Sequence, residues 1–308
     1  MNETLYNFTK DFLDKQRQGG KIKYLARAKE LYEQYGFGQV DLAKKWLTFT
    51  FENRVRLTAE IKAELSVDIM FDAYPARLDR NTNATTHFNE KTNSYPVSNG
   101  FVLVNSLSKL KINQHCYDLA PMTSLGTYLK ADDILSIEHK SIVFVENLAV
   151  MASLLALNIT TLADTLTVGI DLNDALWVYR GDAKKYQQTG IAYQFFRRFA
   201  ASHQLVCFSD VDPKGIEIAL TSHADYWLTI KNTGDFDKIT TLLKGNEVEW
   251  FKQGASVQFI QKKISASENK GQALPSWQPL FSMTSSMQKT LKQEHIIAHC
   301  LPLTLCKL

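Results

Sequence analysis

Ser141-Ile-Val-Phe-Val-Glu146-Asn147 and Phe208-Ser-Asp210-Val-Asp212-Pro-Lys-Gly215 are the two stretches on which the reading of this sequence turns. The first is a short β-branched and aromatic run that ends on an acid, which predicts a buried strand with Glu146 at its carboxyl end. The second leaves another apolar run, Gln204-Leu-Val-Cys-Phe-Ser209, through two acids spaced i and i+2 into Pro213, a residue suited to the first turn of a helix. Working outward, Asn147 to Leu157 reads as a helix, Ala175 to Tyr179 as a strand, Gln187 to Ser202 as a helix, Pro213 to Thr221 as a helix and Asp225 to Ile230 as a strand. Strands alternating with helices predict an α/β domain, a Rossmann-like and mostly parallel sheet. Right-handed crossovers then bring all the carboxyl ends, and with them Glu146, Asp210 and Asp212, to one edge.

Three carboxylates gathered at one edge repel one another, and the cluster is most economically read as a site for a hard cation. Mg²⁺ is the expected ion, with Mn²⁺ as its substitute. Asp212 has a second role open to it, as the cap of the helix that starts at Pro213. Lys214 in the turn, and Arg180, Lys184 and Lys185 after the second strand, are candidates for phosphate contact. Arg197 and Arg198 lie on a helix whose core side is Phe195, Phe196 and Phe199, and either track a DNA backbone or keep the outer face solvated. Each of these cations taken alone, like Lys262 and Lys263 further on, reads equally as solvated surface.

The 308-residue chain exceeds one small core, with 45% apolar residues, a net charge of +3 and a pI near 8.5, which permits nucleic-acid binding without indicating it. The richest apolar stretch, Ile142 to Ile159, is broken by Glu146 and Asn147, so no membrane span is expected. Nothing at the N-terminus marks a secretory leader, and a cytoplasmic location follows. Cys116, Cys207, Cys300 and Cys306 form no CxxC pair and read as reduced thiols among apolar neighbours; a zinc site with His295 and His299 is the alternative. Four regions are expected: a helical one over residues 1–70 with a helix-turn-helix or winged-helix unit, a winged-helix-like α+β one over 71–138, the α/β core over 139–235, and an extension over 236–308 packing on that core.

Val143-Phe-Val-Glu146-Asn147 with Ser209-Asp210-Val-Asp212-Pro-Lys-Gly215 resembles the Toprim signature of topoisomerases, primases and some nucleases. More narrowly, that opening, Gly181-Asp182 after the second strand, the DxDPxG turn and the late Leu291-Lys-Gln-Glu294-His-Ile296 resemble the Toprim subunit of Wadjet and Mks condensin-like systems, JetD or MksG, distantly similar to the topoisomerase VI A subunit. The resemblance covers about residues 140 to 300. It implies a DNA endonuclease acting on plasmids with an SMC, kleisin and accessory complex, and a homodimer, since two cuts on a duplex need two sites; nicking and double-strand cleavage both stay open. Glu146, Asp210 and Asp212 would be the catalytic metal-site residues and Glu294 a supporting metal ligand, although Lys292 and His295 depart from the family's pattern around it. A topoisomerase VI A-like enzyme and a non-catalytic DNA-binding scaffold are the alternatives. Tyr74 and Tyr95 lack the setting of an attacking tyrosine and read as packing residues, which favours hydrolysis.

Overall fold

Alternating burial along Trp46-Leu-Thr-Phe-Thr50, with Leu47 and Phe49 inside and Thr48 and Thr50 outside, makes a strand where the sequence pattern predicts helix. The computed structural model describes the chain except residues 77, 79, 86–93, 96–98, 119–124, 160–168, 182–188, 232, 244–245 and 270–272. It divides into two units, Met1–Val97 and Ser98–Leu308.

The first unit runs α1 (Glu3–Lys15), β1 (Gly19–Lys23), α2 (Ala26–Tyr35), β2 (Gln39–Val40), β3 (Trp46–Thr50), α3 (Phe51–Leu65) and the short α4 (Arg80–Ala84). The strands form an antiparallel sheet in the order β1-β3-β2. This corrects the expectation of an all-helical segment up to Leu65. Helical spacing of apolar residues does hold in α1, α2 and α3, but the intervening aromatic and β-branched residues pair as strands, and Gly36 and Gly38 take positive φ to turn the chain into β2. α2 is followed directly by the β2–β3 hairpin, not by a second helix. Tyr6, Leu13, Leu31, Phe37, Leu47, Phe49 and Ile61 form the core. Arg56 donates to the Gly36 carbonyl at 2.6 Å and Arg54 to the Arg17 carbonyl at 2.8 Å, so both guanidinium groups tie the unit's loops to α3. Tyr74 packs edge-on against Tyr6, as a packing residue should, whereas Tyr95 lies on the surface.

The second unit is built on one seven-stranded sheet. Its strands are β4 (Phe101–Asn105), β7 (Thr127–Lys130), β8 (Ser141–Val145), β9 (Ala175–Tyr179), β10 (Gln204–Phe208), β11 (Tyr226–Ile230) and β12 (Leu303–Lys307), while β5 (Leu110–Ile112) and β6 (His115–Tyr117) make a separate hairpin. The order is β12-β11-β10-β8-β9-β4-β7. β8 to β11 pair in parallel, but β4, β7 and β12 join antiparallel, so the sheet is mixed and not mostly parallel. Every residue of β8 and β9 is buried, as befits strands covered on both faces. The helices are α5 (Leu148–Ala152), α6 (Thr189–Arg198), α7 (Pro213–Ser222), α8 (Thr233–Leu242), α9 (Asn246–Phe251), α10 (Gly254–Asn269), α11 (Gln278–Met287) and α12 (Gln293–Ala298). α6 lays Phe196 over Phe144 of β8 with ring centroids 4.8 Å apart, and α10 packs against α7. The cysteines divide: burial pushes the Cys207 thiol up to about 12, whereas Cys116 and Cys300 are exposed, against the expectation of apolar surroundings. No described helix is long and apolar enough to cross a membrane.

One backbone approach fixes the start of α7. A Cβ on Gly215 would run into the backbone of Asp210, while the Ser209 hydroxyl donates to the Gly215 carbonyl at 2.8 Å and accepts from Trp227 Nε1 at 2.9 Å. Gly215→Ala is therefore expected to cost about 1–3 kcal/mol, the usual range for overpacking, read as a lower midpoint in chemical denaturation.

Candidate metal centre

β8 and β10 are parallel neighbours in register, with Val145 opposite Phe208, so the residues that leave the two strands meet. The chain passes from β8 to β9 on one side and then crosses to β10 on the other. Such a reversal opens a crevice at the carboxyl ends, where α/β proteins bind ligands. Glu146 stands at this edge and accepts the Asp210 backbone N–H on Oε2 at 3.2 Å. Its Oε1 faces the Arg180 guanidinium at 3.6 Å. Arg180 itself follows β9 and bonds its backbone N–H to the Val145 carbonyl at 2.8 Å.

Asp212 caps α7 as well as lining the edge. Its Oδ1 accepts the Gly215 N–H at 2.7 Å and its Oδ2 accepts Gln253 Nε2 at 2.7 Å. Asp210 Oδ1 accepts the backbone N–H of Gln293 at 2.8 Å. That last contact comes from far along the chain, through an antiparallel bridge between Val211 and Leu291. The bridge also carries Gln293 Oε1 to the Asn147 N–H at 3.0 Å and Glu294 Oε1 to the Asn147 side chain at 2.5 Å. Glu294 thus joins the cluster, and its Oε2 is buried with no hydrogen-bond partner.

The charge cannot be carried here without cost. Burial pushes the carboxyls of Glu146, Asp210 and Asp212 up from their ordinary values. Mutual repulsion adds to this, most of all at Asp210, which faces Glu146, Asp212 and Glu294, while Arg180 pulls Glu146 down and Gln253 and the α7 amides pull Asp212 down. A hard divalent cation would neutralise such a set, and the unpartnered Glu294 oxygen belongs to the same chemistry. As they stand, however, the oxygens turn toward protein donors. Among the described residues no three His, Cys, Asp or Glu side chains are arranged to hold a metal ion, the Cys300, Cys306, His295 and His299 set included.

The basic candidates fall into different places. Lys214 is half exposed and pairs with Glu217 at 3.0 Å on its own helix. Arg197 donates to the Thr221 and Ser222 carbonyls at the end of α7, and Arg198 to the Ala131 and Ile134 carbonyls while stacking on Phe195 and Phe199. Those two arginines tie elements together, away from the carboxylate edge. Lys184 and Lys185, with Asp182, lie outside the described residues. Sequence reading missed Gln253, Gln293 and Asn147. An amide carries no motif of its own, although Asn147 beside Glu146 reads in retrospect as the helix cap it is, with its side chain on the Ala149 N–H.

The fold and edge together define an α/β protein with a buried carboxylate cluster at the switch point of a mixed sheet. The chain belongs to the family described as a domain of unknown function (DUF7281), which matches residues 99–305 and so takes in the sheet, the cluster and the returning C-terminal segment. No curated protein matches it.

Raised carboxyl pKa values destabilise the folded state above those values, and the penalty is relieved as pH falls through them toward the ordinary carboxylate range. In the presence of a chelator, the melting temperature is expected to rise as pH is lowered from the alkaline side toward the ordinary carboxylate range. Asp210→Asn, which keeps Oδ1 for Gln293, should raise it on the alkaline side by about 2–4 °C, the shift produced by about 1 kcal/mol in a domain of this size. An unchanged or lower melting temperature in that variant would sink the electrostatic account.

Proposed function

We propose that this protein is a Toprim-type, metal-dependent DNA endonuclease. The observation that carries the reading is the meeting of Glu146, Asp210 and Asp212 at the ends of two adjacent parallel strands, with Glu294 delivered beside them. The residues that would hold the ion are Glu146, Asp210 and Asp212, supported by Glu294. Bound Mg²⁺ or Mn²⁺ would supply Lewis-acid polarisation of a phosphate and a more acidic water. The protein's own contribution is orientation. Gly215 and Gln253 hold Asp212, the Gln293 amide holds Asp210, the Asp210 amide holds Glu146, and α6 and α7 pack buried aromatic and aliphatic side chains against the strands that carry them. Glu146, the carboxylate next to Arg180, is suited either to metal binding or to accepting a proton from the attacking water.

The resemblance to the Toprim subunits of condensin-like defence complexes extends the proposal to plasmid DNA as substrate, a homodimer as the cutting unit and an SMC and kleisin complex as partner. Lys214, at the head of α7, is the described lysine best placed for backbone phosphate. A second reading, a DNA-binding scaffold that no longer cuts, is favoured by one observation: both Asp212 oxygens are engaged by protein donors.

Supercoiled plasmid incubated with the protein and Mn²⁺ or Mg²⁺ is expected to become nicked or linear. Glu146→Gln and Asp210→Ala should each lower the rate by about a hundredfold or more, the loss typical of removing one preorganised charge-stabilising group. Equal cutting by all three proteins would refute the site. Silence of the wild type, both alone and with the SMC complex, would leave the scaffold reading standing.

A further inference from the structure

Among the described residues Arg180 is the one guanidinium at the carboxylate edge, and its surroundings differ from those of the other described arginines in the second unit. Arg197 and Arg198 spend their donors on backbone carbonyls. Arg180 instead points at an anion, with Nη2 3.6 Å from Glu146 Oε1, a distance longer than a well-made ion-pair hydrogen bond. Its Nε is buried with no hydrogen-bond partner. Its side chain is 22% exposed, so the group reaches solvent at the crevice mouth. Tyr193, on α6, lies near it. The backbone beneath is set by the Arg180 N–H on the Val145 carbonyl, and Gly181 follows at φ 90°. A fixed base, a loosely held head and a spare donor suit a group with two resting places.

We propose that Arg180 is a placeholder cation. Arg180 neutralises Glu146, and where a divalent cation takes up the carboxylates the guanidinium would be released toward the crevice mouth, where its donors would receive a phosphate oxygen of the nucleic-acid backbone. This rests on the metal-site reading and adds the order of events: metal and Arg180 compete for Glu146, and metal binding arms the phosphate contact. The physical basis is that two cations cannot share one carboxylate without repulsion, whereas a guanidinium fits a phosphate as readily as a carboxylate. Lys214 and Lys292 also face the cluster electrostatically, but neither makes a close ion pair with Glu146. A merely structural arginine would behave differently, because its loss would loosen the site and weaken every ligand together.

The two roles therefore give opposite signs in one variant. Arg180→Met is expected to bind Mn²⁺ about tenfold more tightly than the wild type, the low end of what one neighbouring charge does to a carboxylate's affinity for a cation. Isothermal titration and the loss of the free-ion paramagnetic resonance signal both read this without any turnover. The same variant should bind a short fluorescent DNA duplex, in saturating Ca²⁺, about tenfold more weakly, the loss of one charged hydrogen bond. Arg180→Lys, which keeps the charge, should return Mn²⁺ affinity toward the wild-type value, and its melting curve controls for folding. Tighter Mn²⁺ with weaker DNA in Arg180→Met supports the placeholder. Weaker or unchanged Mn²⁺ binding in that variant, beside a wild type that does bind Mn²⁺, overturns the placeholder alone. A wild type that takes up no Mn²⁺ overturns the metal-site reading and the placeholder with it.

Discussion

The parallel pairing of β8 with β10 is the interaction on which the rest of the second unit depends. Its register sets Val145 against Phe208, so the next residues out of each strand, Glu146 on one side and Ser209 with Asp210 on the other, have no choice but to meet. Because β9 lies on the far side of β8, the connection from β9 to β10 must cross the sheet, and the two chains diverge at the edge to leave a crevice between them. A slip of one residue in that register would turn every buried side chain of β10 to the opposite face, against packing already made on both sides of this buried strand.

What the pairing assembles is electrostatically unfavourable, and the surrounding structure is arranged to bear it. Backbone amides of Asp210, Gly215 and Gln293 each donate to one of the three carboxylates, and Gln253 reaches across from the segment before α10 to a remaining oxygen. Fixed N–H dipoles of this kind hold a carboxylate in place without supplying a full neutralising charge, so the cluster stays under repulsion. A core that tolerates such a cluster gives up stability, as strained and repelling groups commonly do in otherwise consistent folds.

The last segment of the second unit is as much part of the site as the strands. β12 pairs with β11, and the Val211–Leu291 bridge brings α12 over the crevice so that Gln293 and Glu294 close it from the side opposite Arg180's strand. The basic residues sort by the same geometry. Those on α6 are consumed in tying α7 and the segment after β7 to the sheet, whereas Arg180, at a strand end, is free to answer to charge.

Periodicity and residue type were enough to read the strands β8 to β11, the helices between them and the edge on which Glu146, Asp210 and Asp212 lie, because buried parallel strands are continuous apolar runs and a strand's last residue must emerge at its carboxyl end. They misread β1 and β3 as helix, since five-residue strands beside amphipathic helices carry too few residues for the period to tell. Gly100 to Asn105 reads as a strand and is β4, but the antiparallel joining of β4, β7 and β12 to the sheet was beyond reach, because nothing local to a strand says which neighbour it will pair with. The sequence by itself therefore determined which acids stand at the edge. Only the tertiary structure decided that Gln253, Gln293 and Glu294 join them and that Arg180 faces Glu146, for these contacts join residues up to 147 apart in the chain, and their geometry exists only once the sheet is closed around them.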